Sequence, residues 1–113
     1  MPYVRVSVGK NLNEDEKNAL QLSVSEHISL LPKKNRDNCM IDIMGDCSMY
    51  MRGVRAPLAF MEVRLYKAAP MEAKQEFVKK MYEVFEAQAG IKSTDMYINI
   101  LEFDNFGVRG SYI

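Results

Sequence analysis

The 113-residue sequence predicts an α/β domain: two βαβ units joined into one four-stranded sheet, with both helices on a single face. Three observations lead there. Four short stretches carry strand signals, two of them with strict alternation of apolar and polar residues. Two longer stretches carry apolar residues at helical spacing. The two sets also keep step: strand starts at 3 and 59 lie 56 positions apart, those at 39 and 96 lie 57 apart, and helix starts near 14 and 71 lie 57 apart. A constant offset of this kind marks a duplicated unit.

Residues 3–8, YVRVSV, set Val4, Val6 and Val8 on one face and Tyr3, Arg5 and Ser7 on the other, which describes a strand with one buried side. In NLNEDEK, Asn13 suits a helix N-cap, with Glu16 three residues on and acids filling the first turn. Leu20, Val24, Ile28 and Leu31 then recur at helical spacing until Pro32 ends the helix. CMIDIM, 39–44, reads as the second strand and includes Cys39. Residues 45–57 are irregular. Alternation returns over 59–67, with Met61, Val63 and Leu65 against Phe60, Glu62, Arg64 and Tyr66. Pro70 falls where a first helical residue belongs. Ala73, Phe77, Met81 and Phe85 form the second helical stripe, Gly90 closes it, and MYINILEF, 96–103, is the fourth strand. The tail, DNFGVRGSYI, reads as loop or a short edge strand. Helices on one side leave the opposite sheet face bare, and a symmetric oligomer is the economical cover.

Composition narrows the function. Fifteen Lys and Arg balance fifteen Asp and Glu, so the basic excess of nucleic-acid or membrane-surface proteins is missing and self-association is unopposed. The N-terminal segment MPYVRVSVGKN has neither the basic region nor the apolar stretch of a secretory signal. Cys39 and Cys47 then read as free thiols in a cytoplasmic protein, with export by a signal-independent route left open. No P-loop, dinucleotide fingerprint or nucleophile elbow occurs, and one histidine, His27, with two scattered cysteines makes no metal-ligand set. No cofactor or metal is expected. His27 and the abundant methionines, Met81 among them, read as packing residues.

What remains is the amino terminus. Removal of Met1 ahead of the small Pro2 would leave a secondary amine on a rigid ring. An α-amino group titrates near ~8, and apolar walls or a nearby cation disfavour its protonated form, so a pocket makes it a base at neutral pH.

Several stretches make this reading specific: the Met1-Pro2 start into a strand, Asp46, Met49 and Gly53 ahead of Pro57 and Ala59, Tyr97-Ile98-Asn99 in the last long strand, and Asn105-Phe106-Gly107 near the end. In these the chain resembles the tautomerase superfamily, in its macrophage migration inhibitory factor and phenylpyruvate tautomerase branch, over nearly its whole length. The resemblance implies a homotrimer whose sheets line a central barrel, and keto–enol interconversion of a small α-keto acid with Pro2 as general base. It further implies Lys34, or Lys33 one residue away, at the substrate carboxylate or enolate oxygen. Leu65 would be a pocket wall, with Tyr97 and Asn99 contributed by a neighbouring subunit. The chain departs from the family pattern at three places. Val108 and Arg109 follow the late glycine where an aromatic residue is expected, Asn38 stands for a pocket tyrosine, and the C-x-x-C of the mammalian cytokine is replaced near Pro57 and Phe60.

Three rival readings stand beside this one. Residues 6–12 and 52–63 faintly resemble the signatures of an RNA-recognition module, but Ser7 and Leu58 occupy places that need base-stacking aromatics and the net charge is zero. A non-enzymatic binding module fits the same fold. A sister hydration or decarboxylation reaction would recruit Arg52, Arg55 or Arg64.

Overall fold

The computed structural model describes residues 2–113. The expected trimming of Met1 therefore lies outside the described residues. Four long strands, β1 (Tyr3–Val8), β2 (Met40–Met44), β5 (Ala59–Tyr66) and β6 (Met96–Phe103), form one sheet in the order β2-β1-β5-β6. Within each half the strands are parallel neighbours, and β1 meets β5 antiparallel. Helices α1 (Glu14–His27) and α2 (Met71–Ala89) are the two crossovers. Parallel neighbours need such a crossover, which explains why each helix sits between its two strands in sequence.

The alternation in β1 and β5 is realised residue for residue. Val4, Val6, Val8, Met61, Val63 and Leu65 are buried and pack with Leu20, Val24, Phe77, Met81 and Phe85 of the helices. Every one of these but Leu20 is fully shielded from solvent, which places the core between the sheet and the helix pair. Asn13 closes the capping box: its side chain accepts from Glu16 N–H at 2.8 Å and Glu16 accepts from Asn13 N–H at 2.9 Å.

Helix α1 stops at His27, four residues before the expected end, and runs on as a short 3₁₀ turn (Ile28–Leu30). Leu31 turns extended at φ −84°, ψ 117°, as a residue before proline does. Ile28 and Leu31 are nevertheless fully buried, so the stripe continues beyond the regular helix. Pro70 is an extended N-cap at ψ 143°, and the helix begins at Met71. Gly90 ends α2 at φ 66°, where its N–H reaches the carbonyls of Glu86 and Phe85 and only glycine is unstrained.

The segment read as irregular and the tail read as loop or a short edge strand hold a second level of duplication. β3 (Tyr50–Met51) and β4 (Val54–Arg55) form a hairpin after the first βαβ unit, and β7 (Gly107–Val108) and β8 (Ser111–Tyr112) form another after the second. Arg52-Gly53 and Arg109-Gly110 are their turns, with positive φ at both positions (54° and 74°, 50° and 84°), the geometry of a type I′ turn. The turns at 52 and 109 are again 57 positions apart. The repeat unit is thus a βαβ followed by a hairpin.

Candidate active site

The sheet face away from the helices carries Tyr3, Arg5, Phe60, Glu62, Tyr66 and Tyr97. Arg5 pairs with Asp42 at 3.9 Å and Arg64 with Glu62 at 2.7 Å, while Tyr97 is 61% exposed. One corner of this sheet gathers three of the residues singled out for chemistry, Pro2, Leu65 and Lys34. Tyr3 pairs with Arg64, so the antiparallel register sets Pro2 beside Leu65. Pro2 is buried, and its carbonyl accepts the Met40 N–H at 2.9 Å. Lys34 reaches the same corner from the loop after α1, where its ammonium donates to the Tyr66 carbonyl at 2.5 Å.

Burial pushes the Lys34 ammonium below the ordinary lysine range; Glu102 pulls it up again and Lys33 pushes it down. The Glu102 carboxylate accepts from Ala69 N–H at 2.6 Å and from Lys74 at 2.9 Å, and these bonds hold it below the ordinary glutamate range. Lys33 stands at φ 64° and is exposed, so of the two lysines Lys34 is the one turned into the corner.

A cavity of about 470 Å³ lies at this end of the molecule, lined by Asn38, Val108, Arg109 and Ile113. Asn38 ends a 3₁₀ turn two residues before Met40, the partner of Pro2. On the other side, Phe106 and Ile113 exchange backbone hydrogen bonds at 2.9 and 3.1 Å, and Phe106 packs edge-on to Tyr66 at 6.4 Å between centroids. The second hairpin is thereby tied to Tyr66. Two of the three places where the chain departs from the tautomerase pattern, Asn38 and the Val108-Arg109 pair, line this one cavity.

Leu65 does not face it. It is fully buried among the core residues on the helix side of the sheet, because it shares the parity of Met61 and Val63. Tyr66, one residue on, takes the open face. Cys39 also departs from expectation: it follows the 3₁₀ turn, β2 begins at Met40, and burial pushes its thiol up to about 11. His27 is occupied locally, its Nδ1 lying 2.7 Å from the Ser23 carbonyl.

Tyr97 and Asn99 lie far from Pro2 within one chain. Tyr97 pairs with Phe60, which pairs with Ser7. That row is five residues along β1 from Pro2, about 16 Å, and two strand spacings, about 10 Å, to the side. Only a second copy can bring Tyr97 to a Pro2 corner.

The sequence matches no family model and no curated protein. Solved structures do match over nearly the full length. Leishmania major MIF2 superposes with a TM-score of 0.91 at 16% identity, covering 100% of this chain and 97% of that one. The protein Pt0534, inactivated by 2-oxo-3-pentynoate, gives 0.86 at 16% identity over 96% and 93%. An R7 fused 4-OT asymmetric trimer gives 0.84 at 12% identity over 96% and 94%. The chain therefore has the fold of the migration inhibitory factor and 4-OT tautomerase structures, the architecture that the resemblance implied. At these identities the likeness defines the fold and leaves the chemistry to the residues.

Proposed function

We propose that this protein is a keto–enol tautomerase for a small α-keto acid, with Pro2 as general base once Met1 is removed. The observation that carries the reading is the corner itself. A buried Pro2 sits beside Leu65, and the Lys34 ammonium is anchored on the carbonyl of the adjoining Tyr66. A freed secondary amine there is desolvated and close to a cation, and both effects favour its neutral, basic form. It would take the proton from the carbon beside the substrate carbonyl and return it to the enolate oxygen, or run the reverse. Lys34, with two N–H donors left beyond the Tyr66 bond, would meet the substrate carboxylate or the developing enolate. Pt0534, which shares the fold, is inactivated by a 2-oxo acid. That supports the substrate class.

The homotrimer belongs to the same reading. A neighbour in fold is trimeric, Tyr97 is exposed on the open face, and Tyr97 and Asn99 reach a Pro2 corner only across a subunit boundary. The test is ketonisation of an enol α-keto acid, followed by absorbance. A general base contributes about a hundredfold to ten-thousandfold, and Pro2→Gly should lose at least the lower figure with an unchanged circular dichroism spectrum. Wild type no faster than buffer with Met1 absent would favour a binding module instead.

A further inference from the structure

Another cavity, of about 200 Å³, opens at the end of the sheet away from Pro2, where β5 and β6 begin. Three aromatic side chains line it, Tyr50, Phe60 and Tyr97, together with the thioethers of Met49 and Met51 and one carboxylate, Asp95. Phe60 and Tyr97 are register partners on adjacent strands, so their side chains stand on one face, and β3 supplies Tyr50 and Met51. All three aromatics are exposed, Tyr50 the most at 63%. Asp95 ends a 3₁₀ turn (Ser93–Asp95) and is half-buried. Among the described residues, no ion pair engages its carboxylate. The one cation–π contact among them, Lys67 over Tyr66, lies at the other end of β5. Arg55, opposite Tyr50 in the first hairpin, stands over no ring.

Aromatic rings offer a negative π surface to a cation, and several rings around one cavity form a cage for alkylated ammonium groups. Polarizable thioethers pack well against the alkyl groups of such an ion. A neutral apolar molecule would gain nothing from the Asp95 charge. A hard metal ion needs several oxygen ligands, whereas this cavity has one carboxylate and no metal-binding cluster occurs among the described residues. We infer that the cavity binds a small organic ammonium ion, alkylated at nitrogen, with its alkyl groups against Tyr50, Phe60, Tyr97 and the two methionines and its charge opposite Asp95. The volume suits a compact head group, since pockets for drug-sized ligands hold about 300–1,000 Å³. Every one of these side chains belongs to a single chain, so the inference goes beyond the tautomerase reading and does not rest on it.

The experiment compares choline with dimethylbutanol, its neutral isostere with carbon in place of nitrogen. Binding is read by NMR from carbon-labelled methionine methyl groups, with Met49 and Met51 as the reporters. Each exposed cation–π contact is worth about two- to fivefold in affinity. Three of them beside a carboxylate should make choline bind at least about tenfold more tightly than the isostere. Phe60→Leu and Tyr97→Leu should each weaken choline by about two- to fivefold and leave the isostere unaffected, while Tyr97→Phe, which keeps a ring, should match wild type. Asp95→Asn should weaken choline and reduce the salt dependence of its binding. Equal affinity for choline and the isostere would overturn the inference, as would shifts confined to other methionines or a titration that does not saturate. Full selectivity in both leucine variants would remove the rings from the site. The readout needs no turnover, so any of these failures leaves the tautomerase reading standing.

Discussion

Glu102 links the stability of the second βαβ unit to the charge of the candidate site. It reaches from β6 to the start of α2, where Pro70 has no side-chain group with which to cap the helix. Its carboxylate accepts the Ala69 N–H at 2.6 Å and pairs with Lys74 in the first turn at 2.9 Å. Glu102→Gln keeps an acceptor of the same shape and removes the charge. Charge-assisted bonds are about twice as strong as neutral ones, and two such bonds weakened at a partly exposed position, after screening, amount to about 1 kcal/mol. For a domain of this size that lowers Tm by about 4 °C near neutral pH. The sign of the pH dependence follows from the depressed carboxyl. Its stabilising effect is full above the ordinary 4.5 and is lost as pH falls through the lower folded value. Thermal denaturation of wild type and variant should therefore differ near neutrality and converge in acid. Glu102 also holds up the titration of Lys34. In the variant the alkaline limb of kcat/KM, where Lys34 loses its proton, should move to lower pH. Equal Tm values at neutral pH, or a gap that persists unchanged in strong acid, would refute the reasoning.

Two further outcomes follow from placement. Leu65→Ala should cost about 2–5 kcal/mol in urea denaturation, the range for a fully buried leucine, with KM of the folded protein in the proposed reaction little changed; a raised KM at unchanged stability would make Leu65 a pocket wall. If the site spans two subunits, Pro2→Gly chains and Tyr97→Ala/Asn99→Ala chains should each be inactive alone. Refolding them together should recover about a quarter of wild-type activity, the share of mixed sites that receive both intact halves; no recovery would place Tyr97 and Asn99 outside the site.

Much of this architecture was legible in the sequence because its signals are local. Strict alternation in 3–8 and 59–66 fixed which side chains enter the core, and the offset of 56 or 57 identified the duplication. The capping box at Asn13 and the Gly90 stop were readable for the same reason, since each depends on a few neighbouring residues. The first hairpin was missed, and the second was read only as loop or a short edge strand, because their strands are two residues long, too short for periodicity to register. A turn signal was present all the same: Arg52-Gly53 and Arg109-Gly110 recur at the repeat distance. Leu65 has the parity of Met61 and Val63 and is buried with them, so alternation alone places it in the core. Ile113 and Phe106 could not be assigned to the neighbourhood of Tyr66 from sequence, because only the folded-back second hairpin brings them there. Helix α1 ended early where the backbone had to turn extended before Pro32, a restriction that a count of apolar residues does not weigh.

The claim that Pro2 is the base is tested most directly at its own nitrogen. Two preparations of the same chain are required, one shown by mass spectrometry to begin at Pro2 and one retaining Met1, with matched circular dichroism and sedimentation. Retention of Met1 turns the Pro2 amine into an amide with no basicity and leaves every other side chain in place. The account expects ketonisation of an enol α-keto acid to be at least about a hundredfold faster in the chain that begins at Pro2, the lower bound for a positioned general base. Equal rates in the two preparations would contradict it.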